Sequence, residues 1–329
     1  MQLTSTLVDD IFNARLAAPQ LSQALQLLTP ETIDFEIFKI IVDAAFAVCD
    51  RPTLQTDFPT IDCSGTGGSG LQHFNVSTTV AFVLAAKGIV VSKFGNRAMS
   101  GTCGSFDLLE ALGINAISTP VKLDDALGET KLAFLFAPRF YPTLKGLSEI
   151  RRKLGIKTIF NFIGPLLNPM QPAYRLMGVS NSHMQTLVAR YLETAPSFIK
   201  GLIVSGENGL DELCYPGLSR ILTVEGGQTA ESQYNIDSSG SGEEGPLATS
   251  QSLLNVDDNV KIFVSIIEGL DNQSIFYNQV CLNAGGGFVA AKVVNDIDAG
   301  CTLARELIAS GQVKKKFEST RRFYAKYSC

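Results

Sequence analysis

Between Thr60 and Glu110 the chain gathers residue types that suit phosphate binding. Gly65-Thr66-Gly67-Gly68-Ser69-Gly70 places four glycines in six residues. Glycine has no side chain and tolerates positive φ, so such a loop can bring backbone N–H groups close to an anion. Asn75-Val76-Ser77-Thr78 then opens an apolar run that continues through Ala86. Asn, Ser and Thr suit a helix N-terminus, and that terminus attracts phosphate. Lys93 and Arg97 lie just past a short apolar run, Ile89 to Ser92, and Ser105 stands where it would cap a helix over Phe106 to Leu112. Each feature alone has a plain structural use, as a tight turn or a solvated charge. Their order, at strand–helix–strand spacing from Thr60–Ser64 to Ile89–Ser92, predicts a βαβ unit. Its loop, helix termini and cations would meet at the carboxyl edge of a sheet, where open α/β folds bind ligands. The pattern has neither the terminal Gly-Lys-Ser/Thr of a P-loop nor the GxGxxG of a dinucleotide fold.

Asp211 and Glu212 follow a further predicted strand, Gly201 to Ser205, and a glycine turn, Gly206 to Gly209. Adjacent acids are commonly just solvated. Opposite a polyphosphate site they have another use, because magnesium prefers hard oxygen ligands, few protein carboxylates and substrate phosphate. The seven cysteines, Cys49, Cys63, Cys103, Cys214, Cys281, Cys301 and Cys329, contain no CxxC pair, and there are only two histidines. A zinc site is therefore not expected, and reduced thiols in a cytoplasmic setting are the simplest reading.

The elements that must position these residues read as α/β. Leu3, Leu7, Val8, Ile11 and Phe12 recur at helical spacing, and Thr29-Pro30-Glu31 signals the start of a helix running to Cys49. That helix carries more apolar surface than one stripe needs. Arg51–Pro59 reads as a linker. Asn115–Ile117 and Leu132–Phe136 read as strands, Pro142–Leu154 and His183–Thr194 as helices, and Asn283–Val293 and Asp298–Ala309 as closing helices. The polar run Asp237–Pro246 reads as a surface loop, and the basic, aromatic tail from Lys314 as an amphipathic, solvated helix end.

A length of 329 residues, 45% hydrophobic and 18% charged, allows two domains with sizeable cores. The net charge of −5, without a basic block, argues against wrapping a nucleic acid backbone. No signal pattern opens the chain and no apolar run reaches membrane length, so a membrane partner is not expected.

Several blocks together resemble the anthranilate phosphoribosyltransferases. They are Asp62 with Gly65-Thr66-Gly67-Gly68 and Gly70, Asn75-Val76-Ser77-Thr78, Lys93 with Gly95-Asn96-Arg97, and Gly104-Ser105 with Asp107 and Leu109-Glu110. The likeness continues through Phe136-Ala137-Pro138, Arg151 with Leu154-Gly155, Asn161, Gly164-Pro165, Asn168-Pro169, Met177-Gly178-Val179, Gly209-Leu210-Asp211-Glu212 and Leu282-Asn283-Ala284. It implies a small helical domain, residues 1–59 joined by a segment near 142–175. It also implies a larger α/β domain, residues 60–141 and 176–329, with a central mostly parallel sheet flanked by helices. The implied reaction moves a phosphoribosyl group from phosphoribosyl pyrophosphate to the amine of anthranilate, in tryptophan biosynthesis. By family position Gly65, Thr66, Gly67, Gly68, Ser69, Asn75, Ser77, Thr78, Lys93 and Ser105 would bind phosphoribosyl pyrophosphate. Asp211, Glu212 and Ser77 would hold Mg2+, and Arg151 would grip the acceptor carboxylate near Asn96 and Pro165. A homodimer through the N-terminal helices is also implied.

Three departures from the family pattern stand out. Ser69 replaces an aspartate in the glycine loop, Phe94 replaces the histidine after the lysine, and Tyr141 replaces a second histidine before Pro142. The phosphate side is nearly intact while the acceptor side has changed twice. Transfer to a different aromatic acceptor therefore stays open, as does a non-catalytic binding protein.

Overall fold

The computed structural model describes residues 3–55, 58–67, 74–98, 103–116, 122–237 and 254–327. Three N-terminal helices come first: α1 (Ser5–Phe12), α2 (Ala18–Gln26) and α3 (Phe35–Ala47). The long helix starts at Phe35, not at Glu31. Thr29 to Thr32 instead close a turn, with Thr32 N–H donating to the Thr29 carbonyl at 3.2 Å. Asp34 then caps α3 by accepting from the Ile37 N–H at 2.9 Å.

A seven-stranded sheet follows, in the order β3-β2-β1-β4-β5-β6-β7. Its strands are β1 (Ile61–Gly65), β2 (Val91–Gly95), β3 (Leu132–Phe136), β4 (Tyr174–Gly178), β5 (Lys200–Gly206), β6 (Gly217–Glu225) and β7 (Gln228–Ile236). All pairs from β3 to β5 are parallel, and the last two pairs are antiparallel. The β6–β7 hairpin has no counterpart in the sequence reading. It turns on Gly226 and Gly227, both at positive φ (59° and 75°), which a two-residue hairpin favours. The predicted strand at Asn115–Ile117 does not form. Asn115 and Ala116 follow the turn that ends the preceding helix, with Ala116 N–H donating to the Ile114 carbonyl at 3.1 Å, and Ile117 lies outside the described residues.

The remaining helices are α4 (Val76–Ala86), α5 (Ser105–Ala111), the short α6 (Leu123–Asp125) and α7 (Ala137–Phe140), α8 (Lys145–Leu154), α9 (Ser182–Glu193), α10 (Val256–Glu268), α11 (Ile275–Ala290), α12 (Ile297–Ala309) and α13 (Gln312–Ala325). Side chains alternate across the strands, so β2 to β6 each feed two cores. Cys63, Leu176, Leu202 and Val204 join the core under α4 and α10–α13. Leu135, Met177, Ile203 and Leu222 join the one formed with α1–α3, α8 and α9.

Helix α11 begins eight residues before the expected Asn283, capped by Ser274. It is buried nearly all round, so it shows no stripe from which its start could be read. Helix α13 is amphipathic as expected, but it is no loose end. Val313, Phe317, Phe323 and Tyr324 are buried, and the Tyr324 hydroxyl accepts from the Phe134 N–H at 3.2 Å. Of the polar run expected as a surface loop, residues 238–246 lie outside the described residues.

Candidate functional site

The sheet order reverses between β1 and β4, because β2 and β3 extend to one side of β1 and β4 and β5 to the other. At the carboxyl ends of these strands lies a narrow crevice lined by Gly65, Ser77, Gly178, Asp211, Glu212 and Asn283, among others. This is the topological position where open α/β sheets take ligands.

Lys93 does not lie past its strand as the sequence suggested. The strand runs on to Gly95, and Lys93 sits within it, only 2% exposed. Its ammonium crosses β1 to donate to the Cys63 carbonyl at 2.9 Å and to Ser77 Oγ, in the first turn of α4, at 3.2 Å. Arg97 turns away from the crevice and pairs with Glu110 at 2.8 Å.

Asn75 occupies the N-cap position of α4, yet its side chain does not cap the helix. Its amide donates instead to the Cys103 carbonyl at 3.1 Å and to Asn259 Oδ1 at 3.0 Å, and its own N–H donates to Asn259 Oδ1 at 2.9 Å. The N-terminus of α4 therefore keeps its affinity for an anion. In the same turn Thr78 Oγ1 is buried without a hydrogen-bond partner. Gly67, at φ +66°, donates its N–H to Asp211 Oδ2 at 2.6 Å, and Thr66 N–H donates to the Gly178 carbonyl at 3.1 Å. Gly68 and Ser69 lie outside the described residues. Ser105 is not a cap. Gly104 takes that position, and Ser105 Oγ donates to the Asn96 carbonyl at 3.1 Å.

The acid pair is pressed onto the strand ends. A Cβ on Gly178 would stand 1.6 Å from the Asp211 carbonyl oxygen, and one on Gly65 would stand 2.3 Å from Asp211 Oδ2. Only glycine permits that approach. Burial, and then the charge of Asp211, push the Glu212 carboxyl up to about 8, against the opposing pull of Gln279 and Lys93. A buried Asp211 beside a half-buried Glu212 suits a divalent cation. No cluster of three or more His, Cys, Asp or Glu side chains occurs among the described residues, so such a cation would draw further oxygens from elsewhere. That matches magnesium on a substrate phosphate.

Two buried side chains of α11, missed as site residues, hold this loop. Gln279 donates to Glu212 Oε2 at 3.0 Å and accepts from the Tyr215 N–H at 2.8 Å. Asn283, one turn on, accepts from the Leu213 N–H and donates to the Leu213 carbonyl, both at 3.0 Å. A polar pair at i, i+4 on an otherwise apolar helix was the available signal. Asn259, which orders Asn75, offered none.

On the other face of β2, Phe94 packs against Tyr141 with ring centroids 6.2 Å apart. Tyr141 Oη donates to the Leu167 carbonyl at 2.7 Å, which joins this pair to the short 3-10 turn Gly164–Leu167 that carries Pro165. Arg151 lies with its guanidinium carbon 5.5 Å from the centre of the Phe160 ring. Burial pushes it down to about 10, and its Nε is buried without a partner. The structure thus gathers Phe94, Tyr141 and Pro165 on one wall. Asn96 instead accepts from Ser105 and from its neighbour Arg97.

This sheet edge and its crevice define an α/β protein with a candidate anion and cation site at the strand ends. Residues 57–314 match the family model described as glycosyl transferase family, a/b domain. The chain is 34% identical to the anthranilate phosphoribosyltransferase of Streptococcus mutans over 322 residues, 96% of this chain and 92% of that one. It is 37% identical to that of Persephonella marina over 263 residues, 80% and 76% of the two chains. Its structure is similar to the crystal structure of anthranilate phosphoribosyltransferase from Thermus thermophilus, with a TM-score of 0.84 at 29% identity over 98% of this chain and 94% of that one. It is also similar to the Saccharomyces cerevisiae enzyme in complex with PRPP (phosphoribosyl pyrophosphate) and Mg, with a TM-score of 0.82 at 25% identity over 99% and 94%. The chain belongs to the anthranilate phosphoribosyltransferase family. Among the described residues, no helix is long and apolar enough to cross a membrane.

Proposed function

We propose that this protein transfers the 5-phosphoribosyl group of phosphoribosyl pyrophosphate to the amine of anthranilate, releasing pyrophosphate in a step of tryptophan biosynthesis. The observation that carries this reading is the reach of Lys93 to Ser77 at the uncapped start of α4, beside the acid pair Asp211 and Glu212. Gly65, Thr66, Gly67, Gly68, Ser69, Asn75, Ser77, Thr78, Lys93 and Ser105 bind the phosphoribosyl donor. Asp211, Glu212 and Ser77 would hold magnesium, which would supply positive charge against the departing pyrophosphate. The bond from the anomeric carbon to pyrophosphate breaks, the bond to the amine nitrogen forms, and the amine gives up a proton. Positive charge builds on the ribose as the leaving group departs, so stabilising pyrophosphate and positioning the amine supply most of the rate. An arylamine is neutral at pH 7, so no strong base is required, which suits a chain with two histidines.

Arg151 takes the acceptor carboxylate, with Phe94, Asn96, Tyr141 and Pro165 around the ring. A half-buried arginine whose Nε is buried without a partner supports that role, since arginine can grip a carboxylate through two parallel bonds. On this reading residues 1–59 with a segment near 142–175 form the acceptor-side helical domain, and residues 60–141 and 176–329 the donor-binding domain. The protein works as a homodimer in the cytoplasm, a setting that suits the free thiols of Cys49, Cys63, Cys103, Cys214, Cys281 and Cys301. The test is anthranilate fluorescence, which disappears on ribosylation, in the presence of phosphoribosyl pyrophosphate and magnesium. Persistent fluorescence at saturating donor would refute anthranilate as acceptor.

One observation favours a second reading, transfer to another aromatic acid. Phe94 offers no hydrogen-bonding group, and the Tyr141 hydroxyl is already donated to Leu167. A melting-temperature screen of aromatic acids with the donor and magnesium present separates the two readings.

A further inference from the structure

We propose that Tyr141 is a positioning residue whose hydroxyl holds the wall that the acceptor ring meets. The proposal rests on the reading of Arg151 and Pro165 as the acceptor side. Three consecutive carbonyls in the 3-10 turn Gly164–Leu167 are met by side chains and not by a backbone ladder. Arg175 Nη1 donates to the Pro165 carbonyl at 2.7 Å, Arg175 Nη2 to the Leu166 carbonyl at 3.1 Å, and Tyr141 Oη to the Leu167 carbonyl at 2.7 Å. The next residue is pinned as well. Asn168 Nδ2 donates to Asp62 Oδ2 at 3.0 Å and to the Ser92 carbonyl at 2.7 Å, and Asn168 Oδ1 accepts from the Met170 N–H at 3.0 Å. Pro165 and Pro169 bring no N–H of their own, so this buried turn cannot satisfy itself from within.

The clamps differ in origin. Arg175 stands on β4, and the partners of Asn168 stand on β1 and β2, so both tie the turn to the rigid sheet. Tyr141 alone comes from outside the sheet, at the end of α7, and the chain runs from it through Pro142–Leu144 into α8, which carries Arg151. The Tyr141–Leu167 bond therefore joins the segment bearing the carboxylate-binding arginine to the turn bearing Pro165. Its loss lets one wall shift against the other while the crevice around Lys93 and Ser77 stays as it is.

Tyr141→Phe removes only the oxygen and keeps the packing on Phe94. Two measurements decide. In steady-state kinetics of the full protein with magnesium, KM for anthranilate should rise roughly two- to tenfold, the effect of one lost hydrogen bond, while kcat and KM for phosphoribosyl pyrophosphate hold. In amide hydrogen exchange, residues 163–171 should exchange faster and α4 should not. An unchanged acceptor KM, or equal loss toward both substrates, would overturn the positioning role. If the native protein transfers nothing to anthranilate, the transfer reading fails by that fact. Exchange then decides the proposal alone: selective loosening of 163–171 sustains it and unchanged exchange overturns it.

Discussion

Phe94 meets Tyr141 edge-on, with the two ring planes inclined at 65°, although 47 positions separate them in sequence. Both family histidines are thus replaced by members of a single touching pair, which makes the two departures one change in the wall. Lys93, next to Phe94, faces the opposite side of β2 toward Ser77. Phe94→His should therefore raise kcat/KM for anthranilate roughly two- to tenfold, because imidazole can bond an amine or a carboxylate and phenyl cannot. KM for phosphoribosyl pyrophosphate should stay level. If the native protein already handles anthranilate well and the variant gains nothing, the altered-acceptor reading falls.

Asp211→Ala and Glu212→Ala should each cut turnover by about two orders of magnitude or more at ordinary magnesium, as expected when a metal that stabilises the leaving group is lost. Circular dichroism should show both variants folded, since Gln279 and Asn283 continue to hold the Leu213 backbone. Near-native turnover in either variant would remove the acid pair from the metal site.

The raised Glu212 carboxyl carries a pH signature. Its proton stays on to about 8 in the folded protein, against an ordinary value of 4.5. The folded state then binds more protons than the unfolded one across that interval, so this group makes stability fall as pH rises from 4.5 to 8. Glu212→Gln should flatten that part of the melting-temperature profile. Magnesium competes with the same proton, so its affinity in the presence of phosphoribosyl pyrophosphate should strengthen as pH approaches 8 and then level off. Calorimetry in two buffers of different ionisation enthalpy should register proton release near pH 7. Equal heats in both buffers would contradict a protonated Glu212.

The dimer prediction narrows once α3 is seen in place. Phe38, Ile41, Val42, Ala45 and Phe46 are consumed by the core of the chain itself, while Ile40 stays 38% exposed on the outer face. Ile40→Asp should shift light scattering from dimer toward monomer at micromolar concentration and leave the melting profile of the isolated chain near native. A native protein that scatters as a monomer would defeat the assembly.

The sequence alone determined the βαβ unit with its glycine loop, the apolar runs of β1, β3 and β5, the acid pair and the chemistry these suit. Each of these is written within a few consecutive residues, through the two-residue period of a strand, the 3.6-residue period of a helix and the backbone freedom of glycine. Only the tertiary structure placed the Lys93 ammonium on Ser77, set the Gln279 amide on Glu212, 67 positions away, and tied Asn75 to Asn259, 184 positions away. It also turned Arg97 out of the site and gave the Tyr141 hydroxyl to Leu167. Such contacts depend on the order in which strands join the sheet and on which helix covers which face, and a hydrogen bond between distant positions leaves no periodic trace along the chain. The direction of a side chain at the end of a strand follows from that assembly, so the residues near the site were legible before it was known which of them would meet.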